Sequence, residues 1–182
     1  MSKEEFDDFL RKEEEQKQTT IDWEDRKKWW LMQLNILFSD IQNWLKEYID
    51  SKKINVEFNY IDIYEEILGS YKAQQMRIKI NDKIATLTPF GTILIGTNGR
   101  VDMTGNVDRV RFILTDRNAK GIKIESKLYF SDEHKRKEEE KKPSQPQIDW
   151  VWKITTNPPK IKYSDLNQDS FLECLVQVCN GK

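Results

Sequence analysis

Ile54-Asn55-Val56-Glu57-Phe58-Asn59-Tyr60 sets an apolar side chain at every second position with a polar one between. That is the period of a strand with one dry face and one wet face. The pattern recurs downstream. Ile61 to Ser70 reads as strand running on into a polar turn that ends near Gly69. Met76, Ile78 and Ile80 alternate with Arg77 and Lys79, and Asn81-Asp82 then supplies two residues that tolerate positive φ, as a tight hairpin requires. Lys83 to Thr88 forms the returning strand, Pro89-Phe90-Gly91 a break, and Thr92 to Gly96 another short strand. The stretch Thr97-Asn98-Gly99-Arg100-Val101-Asp102-Met103-Thr104-Gly105-Asn106 reads as a wide hairpin loop anchored by Val101 and Met103. Val110, Phe112 and Leu114 mark one face of a strand from Arg109 to Thr115, and Ile122, Ile124, Ser126, Leu128 and Phe130 mark the next.

Connections this short join antiparallel neighbours, because parallel strands need crossovers of a dozen residues or more. The expected product is a meander whose wet face carries Glu57, Arg77, Lys79, Arg109, Arg111, Lys123, Glu125 and Lys127. Its apolar face needs a cover.

Two helices supply candidates. Thr20 or Asp22 is expected to cap a helix running to about Asp50, with Trp23, Trp30, Leu34, Leu37, Ile41, Trp44 and Tyr48 as its apolar stripe. Leu31, Phe38 and Leu45 widen the stripe, which suits a helix lying across a sheet. Each large side chain buried there stabilises by about 1.5–3 kcal/mol. Residues 1–18 form a charged helical arm whose Phe6, Phe9 and Leu10 are expected to dock on the body. At the other end, Ile148, Trp150, Trp152 and Ile154 alternate strictly, and the two tryptophans read as core rather than as a ligand platform. Asn167 then caps a last helix that Gly181 stops, with Phe171, Cys174, Leu175 and Val178 facing inward. Residues 131–146 hold charge and two prolines and read as an exposed loop.

Composition narrows the function. Thirty basic residues against thirty-one acidic ones argue against a dedicated polyanion binder. No apolar run approaches a membrane span and no signal-peptide core is present, so a cytoplasmic setting without membrane contact is expected. Two cysteines, Cys174 and Cys179, make no disulfide framework, and Cys174 reads as an inert small hydrophobe. The one histidine, His134, lies in the charged loop, which leaves histidine triads and histidine-based metal sites without a base. No Cys-x-x-Cys pair and no phosphate-cradling glycine motif occurs. Asp62, Glu65, Glu66, Asp102 and Asp108 are the carboxylates that a fold might bring together, yet acidic residues are so abundant that chance convergence means little.

The expectation is therefore an α+β fold, with a long amphipathic helix and a C-terminal helix packed on a curved, mainly antiparallel sheet of about seven strands. Residues 1–182 read as a single domain. Helix-on-sheet architectures serve lipid carriers, chaperone-like proteins and toxin inhibitors alike, so architecture does not choose among functions. Catalytic residues, cofactor and metal are all expected to be absent. The expected role is that of a non-catalytic protein-interaction module, an accessory or inhibitor subunit of a bacterial intracellular complex. Asn98, Arg100, Asp102, Arg109 and Arg111 are the candidate partner-binding residues. An apolar-ligand cavity between helix and sheet is the second reading. Nucleic-acid binding on a basic sheet face is the third, and the charge balance disfavours it.

Overall fold

The computed structural model describes residues 3–92, 98–118, 149–156 and 161–181, without the side chains of residues 3–5 and 12–22. Most of the expected 92–96 strand, the 122–130 strand, the 131–146 loop and His134 lie outside the described residues.

The architecture is α+β. Helix α1 spans Lys3–Asp50, and the strands follow as β1 (Asn55–Glu65), β2 (Gly69–Ile80), β3 (Lys83–Gly91), β4 (Arg100–Thr104), β5 (Arg109–Asp116), β6 (Trp150–Thr155) and β7 (Tyr163–Asp165). Helix α2 (Gln168–Asn180) ends the described chain. The seven strands form one open sheet in chain order, every pair antiparallel.

Both helices pack on one face. Trp30, Leu34, Leu37, Phe38, Ile41 and Leu45 of α1 join Met76, Ile78, Leu87, Val101, Met103 and Phe112 of the sheet and Phe171, Leu175 and Val178 of α2 in one core. Aromatic contacts trace the path of α1. The Trp30 ring lies 6.0 Å from Trp152 of β6, and Phe38 lies 6.0 Å from Phe58 of β1, so the helix crosses the sheet from one end of the strand order to the other. Trp29, outside the expected stripe, meets Trp150 edge-on at 5.5 Å. The two strand tryptophans are thus packing partners of the helix. Tyr48, expected within the stripe, stays exposed.

Helix α1 begins at Lys3, not at the Thr20 or Asp22 cap that its side-chain chemistry suggests. No glycine or proline interrupts residues 3–50, and the Glu, Lys and Gln between them are strong helix formers. A cap-type residue does not stop a helix when nothing breaks it. Nor does the arm dock: Phe6, Phe9 and Leu10 are 46%, 54% and 44% exposed.

Three strand boundaries also differ from expectation. β3 runs through Pro89-Phe90-Gly91, because the register against β4 shifts between Pro89 and Gly91 and a bulge tolerates proline in a sheet. β4 occupies the expected loop 97–106: Val101 and Met103 are fully buried core residues, and Arg100, Asp102 and Thr104 alternate with them. β7 is a three-residue strand, too short for a period to register.

Two glycines set the depth at which the helices sit. A Cβ at Gly99, just before β4, would strike the Trp30 ring of α1, and one at Gly105, just after β4, would strike the Val178 carbonyl of α2. Beyond Gly105, the Val107 N–H donates to that same Val178 carbonyl at 3.0 Å, satisfying a group near the end of α2 that has no partner within the helix. The rest of α2 follows its end signals. Asn167 and Ser170 form a reciprocal capping box, and Gly181 at φ 74° donates its N–H to Gln177.

Candidate functional site

The face of the sheet turned away from the helices carries the charge. Strand alternation alone places Arg100, Asp102 and Thr104 of β4 there, with Arg109, Arg111 and Ile113 of β5 beside them. Asp102 stands opposite Arg111 in the register, yet its carboxylate is engaged by two other arginines. Arg100 binds it in bidentate fashion, both bonds 2.6 Å, and Arg109 approaches at 3.9 Å. Bidentate guanidinium–carboxylate pairing is the strong form of such a contact. Strand alternation along β3 places Phe90 outward, and the Arg100 guanidinium lies 4.5 Å from the centre of that ring.

Arg111 is left over. Among the described residues it makes no hydrogen bond or ion pair, and its Nε is sealed from solvent without a partner. Across the sheet in the same row, Arg111 neighbours Thr155 of β6, and Thr155 neighbours Tyr163 of β7. The Tyr163 hydroxyl is a second buried, unpartnered polar atom, and burial raises its pKa. Buried polar groups are almost always satisfied, so these two stand out, as do the core Trp30 and Trp152 ring N–H groups and the Arg26 Nε. Below that row the β4–β5 turn forms a polar hollow of about 430 Å³ lined by Thr104 to Arg109 and by Arg111. Asp108 in that turn accepts from Gln177 of α2 at 2.7 Å, which holds its carboxyl below the usual range and directs it away from the arginines. Two guanidiniums therefore engage the Asp102 carboxylate, and Arg111, opposite it in the register, forms no ion pair with it.

Of the five residues singled out in the sequence, Arg100, Asp102, Arg109 and Arg111 share this face. Asn98 does not join them. It precedes β4 and accepts a 2.6 Å hydrogen bond from Arg26 of α1. Phe90 and Tyr163 were missed, the first taken for a turn residue and the second lying in a strand without a period. The outward position of Phe90 was readable from Thr86, Thr88 and Phe90 as an alternating set.

The candidate carboxylates do not converge. Asp62 and Glu66 are exposed, whereas Glu65 is buried in a separate cluster. There it accepts from the Tyr71 hydroxyl at 2.5 Å, the Thr92 N–H at 2.9 Å and the Thr92 hydroxyl at 3.3 Å. Burial, reinforced by this carboxylate, pushes the Tyr71 hydroxyl far above its ordinary pKa. No group of three His, Cys, Asp or Glu side chains suited to a metal occurs among the described residues. Cys174 and Cys179 are free and buried, and burial pushes the Cys174 thiol up to about 11. That thiol is protonated at neutral pH and is a poor nucleophile. No described helix is long and apolar enough to cross a membrane.

A comparison with protein-family models, curated proteins and solved structures finds no match to this chain.

Proposed function

We propose that the protein is a non-catalytic interaction module, an accessory or inhibitor subunit of a bacterial intracellular complex, and that the arginine strip on the sheet face away from the helices receives an acidic segment of a partner protein. The observation that carries this reading is Arg111, a half-buried guanidinium without any partner among the described residues. Leaving such a group unpaired costs about 1–3 kcal/mol, and a carboxylate from outside removes that cost. Arg109, 56% exposed at its side chain, stands two residues away on the same face of β5 and offers a second contact. Exposed Phe90 and Val107 flank the strip and add apolar area, in keeping with the mixed composition of protein interfaces.

The test is purification of the full chain from its native host, with and without Arg109→Gln and Arg111→Gln. The wild type should recover one protein in fixed stoichiometry, and the double variant should lose it while keeping its melting temperature. Recovery unchanged by the double variant would remove the sheet face from the interaction. A gel shift of single-stranded oligonucleotide at low salt, abolished by Arg109→Ala and Arg111→Ala, would instead move the assignment to nucleic acid.

A further inference from the structure

On the helix side of the sheet, well away from the arginine strip, a cleft of about 440 Å³ opens between α2, the end of α1 and the β2–β3 turn. Ile54 and Ile80 line it from the sheet side, Leu172, Leu175 and Val176 from α2, and Tyr48 from α1. Val176 and Tyr48 are exposed although apolar, whereas Leu175 is buried, so the cleft grades from a dry floor to an open mouth. Its size falls within the range of about 300–1,000 Å³ that small-molecule sites occupy, and its walls have the apolar character of such sites.

One cation borders it. Lys83, the first residue of β3, donates to the Cys179 carbonyl at 3.3 Å and to the Asn180 side-chain oxygen. Both acceptors are neutral, and among the described residues no carboxylate lies within ion-pair distance of the Lys83 ammonium. An ammonium carries three N–H donors, so a third is left after these two bonds. On the cleft wall burial raises the Cys179 thiol, and the Lys83 charge only partly offsets that rise. Asp82 lies on the β2–β3 turn but is exposed, and solvent screens its opposing charge.

We propose that this cleft binds a small amphiphile with one carboxylate head, its hydrocarbon body lying against Leu172, Leu175 and Ile80 and its head accepting from Lys83. The claim stands apart from the sheet-face interaction, since the two sites share no residue.

Decanoate and decanol, titrated calorimetrically into the full chain, separate the two parts of the proposal. Decanoate should bind saturably and more tightly than decanol. Val176→Trp, which fills the mouth from an exposed position, should abolish both. Lys83→Met should weaken decanoate roughly tenfold and leave decanol unchanged, as expected when a charge-assisted hydrogen bond is removed. Absence of saturable binding by either probe would overturn the site, as would affinity indifferent to Val176→Trp. Equal affinity of the two probes for the wild type would overturn the assignment of the head to Lys83, and that comparison needs no variant to fold.

Discussion

The two ends of α1 differ in a way their sequences do not announce. Both are helical, both carry apolar residues at helical spacing, and no break separates them. At one end Trp30, Leu34 and Ile41 are 0–1% exposed; at the other Phe9 is 54% exposed. Phe9 and Trp30 are about 30 Å apart along the axis at the usual rise per residue, too far to share contacts. The body half owes its stability to the sheet beneath it. The arm is held by its own hydrogen bonds and local ion pairs, such as Arg11 with Asp8 at 3.2 Å and 67% and 64% side-chain exposure. Exposed pairs of that kind contribute a few tenths of a kcal/mol at most. Secondary structure alone therefore does not show where the energy lies.

That contrast can be broken from its strong side. Trp30→Ala removes a fully buried ring that touches Trp152 and seats over Gly99, and it should cost about 3–5 kcal/mol in denaturant unfolding. A smaller loss would mean that the body half resembles the arm. Gly99→Ala attacks the same contact from the sheet. Its Cβ meets the Trp30 ring, and the resulting overpacking should cost about 1–3 kcal/mol, relieved in part when combined with Trp30→Leu. Additive losses would show that the ring and the glycine do not interact.

The smaller effects sharpen the contrast. Asn167→Ala deletes the α2 capping box and should cost about 1 kcal/mol, with the Ser170 amide losing hydrogen-exchange protection first. At the arm, replacing Phe6, Phe9 and Leu10 together by Ala should move global stability by no more than about 0.5 kcal/mol. A larger shift by chemical denaturation would show that those side chains are held after all.

Much of this was legible in the residues. Period-two alternation at Ile54–Tyr60, Met76–Ile80 and Trp150–Ile154 placed the strands, and the width of the α1 stripe placed the cover. Asn81-Asp82 and Asn167 with Gly181 fixed a turn and a helix because each has few conformational alternatives. The misreadings of β3 and β4 share one cause. Gly99 and Gly105 looked like turn punctuation, and so β4 between them was taken for a loop. In the fold they are thin places where helices press on the sheet, which no local rule reveals. Pro89 misled in the same way, since only pairing with Val101 across the bulge shows that the strand continues. Arg100, Asp102, Arg109 and Arg111 were found because they lie close in sequence on adjacent strands. Tyr163 was not, because its position beside them depends on a register set across β6.

The strand order, identical to the chain order, also bears on how the molecule assembles. Each described strand pairs only with its sequence neighbour: β1 to β5 close through short connections, whereas β6 joins β5 across a long one, with Arg111 opposite Thr155. The long-range encounters are the β5–β6 pairing and the docking of the two helices, with Trp30 reaching β6 and Lys83 reaching the end of α2. We expect α1 to dock after β1 to β5 have paired, so that Trp30, buried against β6, reports a late fluorescence phase; a Trp30 signal that forms together with strand structure would refute that order.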